Sequence, residues 1–207
     1  MIKTLSHPLR ASLSAVADYY DRRKVGDVGH LGFRRSTDLS RLMAGVDRLV
    51  AEGVILPGKT RFLDLGCADG RVNVFLSYLV GISVGIELDE WTLDEYAPLK
   101  SQLTAHLKDR GLSPPPDNLF LFQGDSTDKK IHARMASETG LSLQDFDLFY
   151  TYLVMHEEFA RLIRDRARPG AVFMVYGLEK VLPRYPGFQL LDHLSPLEGI
   201  LAFYRKI

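Results

Sequence analysis

The sequence predicts an α/β fold, a mostly parallel sheet with helices on both faces, on three observations. From about Arg61 onward, short apolar runs alternate with stretches of helical periodicity, the pattern of a parallel sheet covered by helices. A glycine-bearing loop, Asp64-Leu-Gly-Cys-Ala-Asp-Gly70, falls between the first apolar run and the first helical stretch. Beyond Tyr176 the alternation stops, and two strand-like runs follow with no helix between them.

The elements follow in order. Arg61 to Leu65 reads as a first strand, and Val72, Phe75, Leu76 and Leu79 recur at helical spacing directly after the glycine loop. Ile82 to Glu87 is β-branched and reads as a second strand. A long helix is expected from Asp89 to Arg110, with Leu99, Leu103 and Leu107 on one face, ended by Gly111 and Pro114-Pro-Pro116. Leu119 to Gln123 is a third strand, and the polar stretch Asp128 to Leu143 a short helix plus a loop. Asp147 to Tyr150 makes a fourth strand, and Met155, Phe159, Leu162 and Ile163 mark the helix after it. Pro169-Gly170 turns the chain into a fifth strand, Ala171 to Tyr176. Phe188 to Leu194 and Ile200 to Tyr204, joined through Ser195 to Gly199, predict an antiparallel hairpin at the sheet edge. Upstream, Pro8 to Arg22 and Thr37 to Glu52 predict helices flanking the segment Gly26 to Ser36. The division expected is an N-terminal helical extension, residues 1–58, covering a cofactor site carried by residues 59–207.

Composition bounds the function. With 207 residues, 46% hydrophobic, the chain suits one domain with a real core. Its 26 basic and 26 acidic residues cancel, so no global field draws it to nucleic acid or anionic lipid. Cys67 is the only cysteine, which rules out an internal disulfide and suits a reducing compartment. The N-terminus does not read as a signal peptide, and no apolar run approaches the ~20 residues of a membrane span. The expectation is a cytoplasmic protein with no membrane partner; its oligomeric state is not legible.

Three positions carry cofactor chemistry. Gly66 and Gly70 let backbone approach a ligand through a tight strand-to-helix turn, and Ala68 between them is the smallest departure from glycine. Glu87, ending the second strand, is placed to accept from both hydroxyls of a ribose. Asp125, in the turn after the third strand, is placed to accept from an adenine amino group. A tight turn without ligand, a strand-end carboxylate and a plain Gly-Asp-Ser turn are the bland readings of each; their coincidence argues for a site.

Phe62-Leu-Asp-Leu-Gly-Cys-Ala-Asp-Gly-Arg71, Val84-Gly-Ile-Glu-Leu-Asp89 and Gln123-Gly-Asp125 together resemble the class I (Rossmann-like) S-adenosylmethionine (SAM)-dependent methyltransferases, over roughly Thr60 to Tyr176. The resemblance implies a seven-stranded sheet, SAM as cofactor and S-adenosylhomocysteine as product. It places the methionine part on Asp64, Gly66, Cys67, Ala68 and Gly70, the ribose on Glu87 with Leu88 beside it, and the adenine by Asp125 and Ser126. A finer likeness, to the non-SET protein-lysine methyltransferases and their prokaryotic relatives, implies an amine acceptor and gives Gly32-Phe-Arg-Arg35 the place of a cofactor-covering stretch.

Ligands of open α/β sheets sit outside the carboxyl ends of the strands, which directs the acceptor side to Tyr150-Thr-Tyr-Leu-Val-Met-His156. Methyl transfer needs an aligned, unprotonated nucleophile, and a base is optional. Tyr150, Thr151 and Tyr152 are the orienting candidates and His156 the proton acceptor; packing tyrosines and an exposed histidine are the competing readings. The acceptor itself is unknown from sequence, a protein or small molecule being preferred to RNA. A nicotinamide-dependent oxidoreductase is disfavoured by the Gly-x-x-x-Gly spacing, the terminal hairpin and the lack of an evident catalytic Tyr-x-x-x-Lys; a catalytically silent SAM-binding module stays open. No metal site is expected: Ala160 stands where a zinc helix starting at His156-Glu157 would need its second histidine. Lys129-Lys130 and the arginines from Arg161 to Arg168 read most simply as solvated surface, a nucleic-acid contact being the alternative.

Overall fold

A computed structural model describes residues 5–23, 25–29, 32–34, 36–178 and 181–207, with backbone alone for those between 25 and 34. Two N-terminal helices, α1 (His7–Asp21) and α2 (Leu39–Ala51), flank a two-stranded antiparallel pair, β1 (Val25–Gly29) and β2 (Gly32–Arg34). Then come β3 (Arg61–Leu65), α3 (Arg71–Ser77), β4 (Ile82–Glu87), α4 (Glu90–Asp94), α5 (Tyr96–Asp109), β5 (Leu119–Gln123) and α6 (Lys129–Thr139). After a 3-10 turn, β6 (Leu148–Tyr152), α7 (His156–Arg166), β7 (Val172–Tyr176), β8 (Phe188–Leu190) and β9 (Leu201–Lys206) complete the chain. The main sheet is seven-stranded in the order β5-β4-β3-β6-β7-β9-β8. Strands β3 to β7 run parallel, and β9 runs against its neighbours β7 and β8.

The sheet separates two cores. Phe62, Leu148, Tyr150 and Met174 meet α1, α2, α3 and α5 on one face, while Leu63, Ile86, Phe149 and Phe173 meet α6 and α7 on the other. Successive residues of each strand alternate between them, as the pleat requires, so every central strand is buried on both faces. The N-terminal helices share the first of these cores with the sheet. Asp21, closing α1, accepts from the backbone N–H groups of Leu39 and Ser40, both at 2.9 Å, and so satisfies donors at the start of α2. No helix of the described residues is long and apolar enough to cross a membrane.

The single helix expected from Asp89 to Arg110 is two helices that break at Glu95. Pro98 is the cause: it has no N–H to donate to the Asp94 carbonyl, and its ring crowds that carbonyl. The expected edge hairpin also differs in form. Strands β8 and β9 do pair antiparallel, but β9 is inserted between β7 and β8, and β8 ends at Leu190. Leu191, Leu194 and Leu197 leave the strand direction to bury in the core beneath α2, where Leu197 lies against Gly45.

Gly85 in β4 is the tightest point beneath the glycine loop. A Cβ there would fall 2.7 Å from Leu121 Cδ2 and 2.8 Å from both Asn73 Oδ1 and Cys67 Cβ. Gly85→Ala is expected to lower stability by about 1–3 kcal/mol through overpacking, read as a lower urea midpoint. A neutral result would mean that loop and helix shift freely over this strand.

Candidate functional site

The carboxyl ends of β3, β4, β5 and β6 converge on the loop 66–70. Gly66, Ala68 and Gly70 have φ of 108°, 48° and 74°, a run that turns the chain sharply from β3 into α3. The N–H groups of Gly66 and Cys67 both donate to Ile86 O, at 2.9 and 3.0 Å, which ties the loop to β4. A Cβ on Gly66 would meet nothing within 4 Å, so its backbone borders open space. Ala68 is strained at this φ. Its N–H donates to Glu87 Oε2 at 2.8 Å, and the N–H of Asp89 donates to Oε1 at 2.9 Å. The buried Glu87 carboxylate thus holds two loops together, and each oxygen keeps a further lone pair for a ligand. Leu88, the next residue, is 66% exposed.

Asp64 is 1% exposed, and its Oδ1 has no hydrogen-bond partner among the described residues. Burial first, then the charges of Glu87 and Asp69, push its carboxyl well above the usual carboxylate range. Burial likewise pushes the Cys67 thiol up, with Asp64, Glu87 and Asp69 adding to it, so Cys67 packs as a neutral group and not as a nucleophile. At the third strand end, Asp125 Oδ1 accepts from the N–H and hydroxyl of Thr127, both at 2.8 Å, and these bonds hold its carboxyl below the ordinary value. Both of those bonds fall on Oδ1, which leaves Oδ2 to a ligand. Ser126 is buried beside it, its carbonyl 2.9 Å from His132 Nε2.

The loop has a second anchor that the sequence pattern did not single out. Asp69 and Arg71 are a buried pair, with Arg71 Nε 3.0 Å from Oδ1 and Nη2 3.0 Å from Oδ2. Arg71 Nη1 donates to Ser36 Oγ at 3.0 Å, and the guanidinium lies 5.5 Å from the centroid of the Tyr20 ring. Arg23 Nε approaches Asp69 at 3.9 Å while its Nη2 donates to Glu95 at 2.6 Å. Helix α1, the segment before α2 and the start of α4–α5 therefore all meet at one buried ion pair. The signal available in sequence was Asp69-Gly-Arg71 itself, a charge pair spaced across a glycine within an otherwise apolar stretch.

The acceptor-side residues are not brought together. Tyr150 pairs with Asp64 across the sheet, is 2% exposed and bonds Thr37 Oγ1 through its hydroxyl. Thr151 is buried on the opposite face and donates to the carbonyls of Leu65 and Tyr152, at 3.1 and 2.8 Å, a stitch between strand ends. Tyr152 is half-buried with its ring 5.3 Å from Tyr176, whose hydroxyl accepts from the Asp38 N–H at 3.2 Å. His156 opens α7 after Met155 at φ 53°, and its Nδ1 lies 2.6 Å from the Tyr185 hydroxyl. Around them Leu153, Val154 and Met155 are 37%, 68% and 45% exposed, an apolar rim at the end of β6. Of the segment Gly32 to Arg35, Gly32–Arg34 form β2 as backbone, and Arg35 lies outside the described residues. Among the described residues no group of His, Cys, Asp and Glu side chains is arranged to hold a metal ion.

No protein-family model matches the chain, and no curated protein sequence matches it. Solved structures do. A putative methyltransferase, yhhF, from Escherichia coli superposes at a TM-score of 0.53 with 18% identity, covering 88% of this chain and 90% of that one. An RNA methyltransferase from Salinibacter ruber, in complex with S-adenosyl-L-homocysteine, gives 0.48 and 19% over 79% and 90% of the chains. A tRNA methyltransferase, TrmI, from Aquifex aeolicus gives 0.47 and 14% over 77% and 67%. At such identities the likeness is one of fold: the chain shares with the Escherichia coli protein a Rossmann-like α/β fold, with a mostly parallel seven-stranded sheet and an antiparallel C-terminal pair.

Proposed function

We propose that the protein is a SAM-dependent methyltransferase that moves the sulfonium methyl group to a nucleophile, an amine being the acceptor class it suits. The observation that carries this is the buried carboxyl of Asp64, whose Oδ1 has no hydrogen-bond partner among the described residues, beneath a positive-φ glycine loop. A buried carboxyl lacking a partner is costly, and a cationic ligand relieves it. A SAM molecule carries an ammonium and a sulfonium; the pyrophosphate of a nicotinamide cofactor would instead bring negative charge to the loop above Asp64. In this reading the loop from Asp64 through Gly66, Cys67 and Ala68 to Gly70 holds the methionine part. Glu87 accepts from the ribose with Leu88 packed beside it, and Asp125 and Ser126 meet the adenine.

When bound, SAM supplies an electrophilic methyl group. The chain's contribution is alignment and exclusion of water. Tyr152 and the rim Leu153 to Met155 shape the acceptor's approach, and desolvation there favours a neutral amine. Tyr150 and Thr151 act from below, holding Thr37 and the end of β3 in place. His156 keeps Nε2 for a proton while Nδ1 engages Tyr185. The extension, residues 1–58, covers the cofactor through Tyr20, Ser36 and Thr37, and the whole is a cytoplasmic enzyme.

Calorimetric titration with S-adenosylhomocysteine and with NAD tests the reading, and binding of NAD alone would sink it. Radiolabelled SAM added to fractionated lysate then shows whether label enters protein, RNA or small molecules; no transfer with tight product binding would mark a silent module. Asp64 adds a pH signature. Its folded value is raised, so the stability it contributes is present below the unfolded carboxylate value of ~3.9 and is lost as pH rises through the folded value. A cation at Asp64 favours the ionised form, so binding should release a proton and tighten as pH rises. The heat of binding should then differ between phosphate and Tris buffers, and Asp64→Asn should abolish the difference. Equal heats with the unaltered protein would count against Asp64 as the ligand's partner.

A further inference from the structure

The chain's formal charge sums to zero, yet one face of it does not. A cleft of about 710 Å³ opens at the amino ends of β3, β6 and β7, the edge opposite the glycine loop. A second, of about 380 Å³, lies between α6 and α7, and Gln144 lines both, so the two meet there. Six Lys and Arg side chains line this combined groove against two Asp.

The two acids are already committed. Asp147 pairs with Arg168, and Asp145 Oδ1 lies 3.9 Å from Arg61 while Oδ2 accepts from Ser142. The cations left over are Lys59 and Arg205 in the first cleft and Lys129 and Arg166 in the second. All four are exposed and have no ion pair among the described residues. Lys129 opens α6, Arg166 closes α7, Arg205 lies in β9 and Lys59 precedes β3, so they come from four different parts of the chain. The second cleft ends at Lys129 and His132, and His132 Nε2 contacts the carbonyl of Ser126 in the turn after β5. Apart from the His132 imidazole, which is engaged with the Ser126 carbonyl, the lining holds no aromatic ring on which a base could stack, and Leu56 is its only strongly exposed apolar side chain.

We propose that this groove is a docking surface for a nucleic-acid strand held through its phosphates. A row of unpaired cations with few apolar anchors fits a uniformly charged backbone, and the want of stacking platforms makes the binding indifferent to base sequence. An acidic peptide fits less well, because it would need apolar pockets to fix its side chains. The first cleft lies at the sheet edge opposite the glycine loop, the second reaches toward Ser126, and the presence of the surface does not depend on methyl transfer.

The test is fluorescence anisotropy of a short labelled RNA hairpin, and of a DNA duplex of the same sequence, titrated with the full chain at several salt concentrations. The unaltered protein should bind with an affinity that falls linearly on a log–log salt plot. Lys59→Glu with Arg205→Glu, and separately Lys129→Glu with Arg166→Glu, should each weaken binding about tenfold or more and reduce the salt slope by about one for every phosphate no longer neutralised. Scrambling the sequence should leave affinity unchanged. The melting temperature of both variants, and the S-adenosylhomocysteine affinity of the Lys59→Glu, Arg205→Glu variant, should stay unchanged, so the groove can fail without touching the methyltransferase reading, and the reverse. Absence of binding, unchanged binding by the variants, or equal competition by polyglutamate would each overturn the proposal.

Discussion

Arg71→Ala should lower the unfolding free energy by about 3–5 kcal/mol, the cost of leaving a buried charge without its partner. The side chains of Asp69 and Arg71 are 0% and 4% exposed, so no water replaces the lost guanidinium. The same change frees Ser36 and removes the cation from the face of Tyr20. A two-armed planar grip underlies the effect, so Arg71→Lys should restore only part of it. Adding Asp69→Ala to Arg71→Ala should recover much of the loss, since a pair removed whole leaves no orphan charge. Urea unfolding of the four proteins checks this. A loss below about 1 kcal/mol for Arg71→Ala would show that solvent reaches Asp69.

Glu87→Ala should weaken S-adenosylhomocysteine binding by about 2–4 kcal/mol, roughly thirty- to a thousandfold. Two losses combine. On the proposed reading the ribose loses a charged acceptor, and the N–H groups of Ala68 and Asp89, now held at 2.8 and 2.9 Å, lose the group that fixes their two loops. Glu87→Gln keeps one acceptor oxygen without the charge and should fall between the two. Calorimetry gives the affinities, and far-ultraviolet circular dichroism confirms that the sheet persists. Unchanged affinity for the Ala variant would remove Glu87 from the site.

Much of this fold is legible in the sequence, for physical reasons. The central strands announce themselves because they are buried on both faces and therefore largely apolar, and the acids Asp64 and Glu87 stand out against that background. What stays hidden is long-range. Tyr150 and Tyr152 share a face of β6, yet one is sealed under Thr37 and the other reaches Tyr176, and strand alternation cannot foresee a partner more than a hundred residues away in sequence. The role of Arg71 emerges only when α1, the segment before α2 and the glycine loop are seen together. Pro98 is a local signal that helical periodicity overrides on paper: its place one turn into a helix explains the break at Glu95. Local imbalance of charge is masked by the whole, because 26 charges of each sign can cancel in sum and still segregate on the surface.

The insertion of β9 between β7 and β8 bears on how the chain is made. Among the described strands β9 leaves the ribosome last, yet it is the one that covers β7 and carries β8. Until Leu201–Lys206 emerges, β7 presents a bare edge of five residues and β8 has nothing to pair with. Closure of the sheet therefore waits on β9, and a nascent chain stalled short of Leu201 is the form most exposed to pairing with another strand.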